Sequence, residues 1–144
     1  MKPQKFVTFH SDGTKSFGEF TSDNWLKLFQ KIVSGLVEPI YLNKKGLIAW
    51  GNEEARLLSH VNSEGKTVEG LPFNSLVTSL VSDNHYPVPC IDILGDVAFT
   101  STKMTSAGNT LGLTDEQFEF LMSYDKHSTD SGNRDSHIVV MSVE

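Results

Sequence analysis

Apolar and polar positions change period along this chain, and the changes mark its elements. In KFVTFHSDGTKSFGEF the apolar residues flank Asp12-Gly13. Glycine takes the positive φ of a tight hairpin turn, so strands are predicted near residues 5–10 and 15–20. Trp25, Leu28, Phe29, Ile32 and Leu36 then fall at helical spacing. Thr21 or Ser22 stands where a cap is needed, and Gly35 where a helix ends in a left-handed residue. Strand formers at Val37 to Leu42 and Leu47 to Trp50 predict a second hairpin, turned by Asn43-Lys44-Lys45-Gly46. Pro39 has no amide for a ladder, so its strand belongs at an edge or its missing amide points outward.

Past Trp50 the pattern becomes helical again. Asn52 can cap a short helix, with Glu53 and Glu54 in a first turn that favours negative charge. Residues 59–70 read as a polar connection. Leu76, Val77, Leu80 and Val81 form the stripe of another helix capped by Asn74, and HYPVPC ends it because two prolines cannot continue a helix. Residues 90–101 are apolar and β-branched around Gly95-Asp96, as one bent strand or a tight hairpin. In LTDEQFEFLM, Thr114 and Gln117 have the spacing of a capping box and Leu113 and Phe118 that of a hydrophobic staple. Phe118, Leu121 and Met122 are the stripe behind that start. The terminal HIVVMSV reads as a last strand. Strands that arrive mostly in hairpins predict an α+β fold, a small mixed or mainly antiparallel sheet with three to four helices packed on it.

Length and composition fit a single domain spanning residues 1–144. With 38% hydrophobic and 21% charged residues the chain is long enough to bury a core without staples. One cysteine, Cys90, forms no internal disulfide, so the chain reads as intracellular or at least not disulfide-stapled. No apolar run reaches a membrane span and no leader is visible at the start, so a membrane role is not expected. The net charge of −6 opposes whole-molecule attraction to nucleic acid. Its distribution is uneven. Residues 1–45 hold seven lysines against four acids, net +3, while residues 46–144 hold five bases against fourteen acids, net −9. An acidic face of that kind suits a basic partner.

Motif chemistry is sparse. The chain lacks a phosphate-binding glycine loop, GxGxxG, GxSxG and HExxH. His85 and Cys90 flank a proline-rich turn, and two ligands do not make a zinc site. No catalytic residue, metal ligand or cofactor is therefore assigned from sequence. The candidates for binding a ligand or partner are Trp50, Asn52, Glu53, Glu54, Asn74 and Asp96, at strand ends and helix starts where side chains from different elements converge. Two alternatives use overlapping residues. Glu53, Glu54, Asp92 and Asp96 could serve a small metal-dependent hydrolase. Tyr41, Lys44, Lys45 and Trp50 have the aromatic and basic composition of a nucleic-acid-binding sheet, against the acidic remainder.

The runs KIVSGLVEPIYL, GLIAWGNEEARLL, EGLPFNSLVTSLV, DILGDVAFTS and LTDEQFEFL, in this order, resemble the successive blocks of the domain of unknown function 3846 family, small proteins common in phage and plasmid genomes. The shared positions are Gly35, Val37 and Glu38; Asn52, Glu53 and Glu54; Leu71, Pro72 and Asn74; Gly95 and Asp96. The resemblance covers about residues 20–122, leaving the hairpin of residues 1–20 and the segment 125–144 outside it. Ala55 departs from the family's glycine after the Asn-Glu-Glu box, which favours a helix there. The resemblance implies a small α+β domain of phage or plasmid origin and no particular activity. With the missing catalytic motifs, it leads to the expectation of an accessory protein that acts in the host cytoplasm by binding a host protein or a small signalling ligand, not nucleic acid or membrane. The Pro39 edge strand and the apolar tail are places where a second copy could add.

Overall fold

The computed structural model describes residues 3–84, 92–125 and 140–143. Its elements are β1 (Gln4–Phe9), β2 (Lys15–Phe20), α1 (Trp25–Val33), β3 (Val37–Leu42), β4 (Leu47–Asn52), β5 (Ser59–Val61), β6 (Thr67–Glu69), α2 (Ser75–Asn84), β7 (Val97–Ser101), α3 (Asp115–Ser123) and β8 (Val140–Val143). One sheet has the order β3-β4-β7-β1-β2-β8, antiparallel throughout except for β8, which runs parallel to β2. The fold is α+β, as the hairpin pattern predicts. Among the described residues no helix is long and apolar enough to cross a membrane.

Alternation along the strands gives the sheet two apolar faces, and each is covered. Phe6, Phe20, Ile48, Trp50 and Ala98 point to one face, where Trp25, Leu28, Phe29 and Ile32 of α1 pack on them. Phe29 meets Phe6 at 5.2 Å and Phe20 at 5.4 Å between ring centres, tilted contacts that aromatic quadrupoles favour. The other face carries Val7, Phe9, Leu42, Leu47, Ala49, Val97 and Phe99 against Leu76, Val77, Leu80 and Val81 of α2 and Leu121 of α3. The order of layers is thus one helix, the sheet, two helices. Hence the central strands β1 and β7 are buried along most of their length.

The edge position of β3 follows from Pro39. The amide of Glu53 donates to the carbonyl of Leu36 at 2.8 Å. Bonding alternates along an antiparallel pair, so Glu38, Ile40 and Leu42 bond to β4 while the main chains of Val37, Pro39 and Tyr41 face outward. The residue without an amide therefore stands in the outward row, where it blunts the free edge.

Local chemistry explains most boundaries, including those that depart from the sequence reading. Gly13 and Gly46 take φ of 91° and 66° in the two predicted hairpin turns. Thr114 and Gln117 form the predicted capping box of α3. Asn74 caps α2, its Oδ1 accepting from the Val77 amide at 3.1 Å. In α1, however, the N-cap is Asn24, and the left-handed residue at its end is Ser34, with φ 66°. Leu36 lies beyond the helix and is exposed. Gly35 is needed for a different reason: a Cβ there would stand 2.7 Å from Nδ2 of Asn52, which reaches past it to bond the Val33 carbonyl.

The short helix expected after Asn52 is absent; residues 53–57 are consecutive turns. A returning segment competes there, since the amides of Leu71 and Gly70 donate to the carbonyls of Ala55, within the turns, and Leu58, just after them. Residues 59–70 are more than a connection, for they hold the exposed hairpin β5–β6, paired His60 to Val68. Neither a bent strand nor a hairpin covers the described part of 90–101. Gly95, with φ 83°, separates an isolated bridge at Leu94 from β7. His85 and Cys90 lie outside the described residues, and of the terminal strand only Val140–Val143 lies within them.

Candidate functional site

Three of the six candidate residues are committed to holding the fold. Trp50 is 8% exposed, packs at 5.1 Å from Trp25 and donates from Nε1 to the Thr100 hydroxyl at 2.9 Å. That placement removes it as a base-stacking platform. Asn74 is wholly buried and donates from Nδ2 to the carbonyls of Phe9 and Gly95, at 2.9 and 2.8 Å, tying β1 to the approach of β7. Asn52 donates to Val33 and accepts the Glu54 amide at 2.7 Å, which turns the chain out of β4. Buried amides satisfied on both ends are structural pins.

Glu53 and Glu54 have a different setting. The turn fixed by Asn52 aims them into a cleft of about 160 Å³ at the end of β3 and β4. Glu38, on the cleft side of β3, and Asp92 line the same cleft, and all four carboxylates belong to exposed residues. Ile40, Ile93 and Leu94 give it apolar lining. The Arg56 side chain also lines it and donates to the main-chain carbonyl of Asp92, bridging the two walls. Four carboxylates against one guanidinium make a negative hollow. Among the described residues no group of three or more His, Cys, Asp or Glu side chains is arranged to hold a metal ion. The cleft's chemistry is therefore that of a cation acceptor with a greasy wall.

Asp96 does not belong to this cleft. One residue beyond the Phe9 to Val97 pair of the β1–β7 ladder, its Oδ2 meets Nδ1 of His10 at 2.8 Å, and its Oδ1 accepts the Ser11 amide at 2.9 Å. Nε2 of His10 lies 2.7 Å from the Ser16 hydroxyl. The hydrogen bond to Asp96, opposed by burial and aided by the charges of Asp96 and Asp12, raises the His10 pKa above its ordinary 6.5. Burial pushes the Asp96 carboxyl up, but the bonds from His10 and the Ser11 amide outweigh it and leave the pKa below 3.8. Serine, histidine and aspartate stand here in the order of an acyl-transfer triad. A nucleophile must reach its substrate, however, and Ser16 is 0% exposed within β2. The chain of bonds instead pins the first hairpin to the approach of β7. Sequence reasoning missed His10 and Ser16 because their link to Asp96 depends on β1 lying beside β7, a pairing across some 90 residues with no local signature.

A buried cation occurs nearby on the opposite sheet face. Lys15 is 1% exposed, lies 5.0 Å from the centre of the Phe9 ring, and donates to the carbonyls of Leu121, Met122 and Tyr124 at 2.8, 2.9 and 2.6 Å. An ammonium has three donors, and three carbonyls at the end of α3 take them. Burial, opposed by Asp125, pushes its pKa down to about 8.

No family model, curated protein or solved structure matches this chain. The reading of function therefore rests on the residues and their geometry.

Proposed function

We propose that this protein is a binding module, an accessory protein of a phage or similar mobile element that works in the host cytoplasm by engaging a basic segment of a host protein. The observation that carries this reading is the cleft in which Glu38, Glu53, Glu54 and Asp92 stand beside Ile40, Ile93 and Leu94. Its size favours one of the two partner classes. Pockets for small ligands run from roughly 300 to 1,000 Å³, whereas about 160 Å³ suits one basic side chain whose aliphatic stem lies on the apolar wall and whose charge meets the carboxylates. The uneven charge along the chain, net −9 over residues 46–144, supports the same choice of a cationic partner. The resemblance of its sequence blocks, in their order, to those of the domain of unknown function 3846 family is what suggests the phage or plasmid setting.

The test is fluorescence anisotropy of a labelled hexa-arginine peptide with wild type and with the E53Q/E54Q double variant. Wild type should bind, with an affinity that falls as salt rises. The double variant should lose about tenfold or more. Equal affinity in the two proteins, or no binding by wild type at low salt, would overturn the reading.

A further inference from the structure

We infer that His10 is a proton-operated latch on one wall of the acidic cleft, so that protonating this ring tightens the segment from Asp92 to Asp96 and strengthens capture of a basic partner. The inference rests on the cleft reading for its functional consequence, but the latch itself stands on its own geometry.

Asp92, Ile93 and Leu94 line the cleft, and Asp96, two residues past Leu94, is the residue that His10 holds. The segment between is short and bound at both ends. Ile93 accepts the Asn74 amide at 2.8 Å, Gly95 donates to Pro72 at 2.7 Å, and Asn74 ties Gly95 to Phe9. The proposed coupling runs from Asp96 along these two or three residues of main chain into the cleft wall.

The ring's surroundings are one-signed. Asp96 on the β7 side and Asp12 in the hairpin turn are the charged groups acting on it, with the Ser16 hydroxyl of β2 on its second nitrogen. In the neutral ring Nδ1–H donates to Asp96 and Nε2 accepts the Ser16 hydroxyl hydrogen. In the imidazolium both nitrogens donate, the bond to Asp96 becomes an ion pair, and the Ser16 hydrogen is released.

The sign is fixed by the two pKa directions. His10 is raised and Asp96 lowered, so the ion pair is complete between the unfolded carboxylate and imidazole values and is lost as pH rises through the raised value of His10. A change of affinity over pH 5.5–8.5 that vanishes in H10Q therefore reports the latch.

Two measurements on the full chain test it. The first is hydrogen-exchange protection of the Ser11 and Gly95 amides at pH 5.5 and 8.5, corrected for intrinsic exchange, in wild type, H10Q and D96N. Protection in wild type should fall about fivefold between the two pH values and stay level in H10Q; in D96N, which keeps the shape and removes the charge, the fall should centre at or below the ordinary histidine pH. Level protection in wild type would overturn the latch. The second is hexa-arginine affinity over the same range. A fall with pH in wild type that H10Q abolishes supports the coupling. Binding that depends on Glu53 and Glu54 but ignores pH would sink the coupling and leave the cleft standing, while absence of binding at every pH would sink the cleft and leave the exchange result to decide the latch.

Discussion

Replacing Lys15 by methionine separates two large opposing terms. Methionine keeps the length of the stem against Phe9 and removes the ammonium. Three buried carbonyls at the end of α3 then lose their donor, at about 1 kcal/mol each, or about 3 in all. Against this, folding the charged lysine is itself costly: the fall in its pKa from 10.5 to about 8 corresponds to about 3 kcal/mol. At pH 7 the terms nearly cancel, so K15M should lie within about 1 kcal/mol of wild type, as other buried charges replaced by apolar isosteres do. The pH dependence breaks the tie. Because the folded value is the lower one, the folded protein releases its proton first, and wild type gains stability from pH 8 to 10.5. Urea unfolding of both proteins across pH 6–10.5 gives a difference curve in which all other groups cancel. It should be level below pH 8 and rise in favour of wild type by about 3 kcal/mol above it. A difference that stays level to pH 10.5 would refute the assignment of Lys15 as a dehydrated cation.

Other substitutions test the pins and the cleft. N74A removes the cap of α2 and the donor to Phe9 and Gly95 together, and should cost about 3 kcal/mol in urea unfolding. G35A should lower stability by about 1 kcal/mol, because pushing Asn52 off Val33 outweighs the roughly 0.4–1 kcal/mol gained from stiffening the unfolded chain; a more stable G35A would deny that contact. F29A empties the centre of the α1 face and should cost about 3–5 kcal/mol. E53Q/E54Q, by contrast, should change the melting temperature hardly at all, since both side chains are exposed.

Where the determinants were local, the sequence was readable. Asp12-Gly13, Asn43 to Gly46, the Asn74 cap and the Thr114–Gln117 box each act within four residues, and each element begins or turns where those residues require. Tertiary competition defeated the rest. Asn52 and two glutamates look like a helix start, but the segment at 70–71 takes the carbonyls of Ala55 and Leu58, where such a helix would continue. The β5–β6 hairpin buries neither face, so no alternation of apolar residues announced it. Of the candidate site, the two glutamates do share a cleft, while Trp50, Asn52 and Asn74 were conspicuous in the sequence because they hold the fold. Asp96 was singled out without its partner, for His10 reaches it only through the pairing of β1 with β7.

Backbone amide shifts, followed by two-dimensional NMR while hexa-arginine is added at low salt, test the central claim most directly. Recognition through the acidic cleft predicts saturable changes concentrated at Glu38, at residues 51–57 and at residues 92–94, abolished in E53Q/E54Q. Changes centred on another face, or scattered weakly over all the acidic surface, would contradict it.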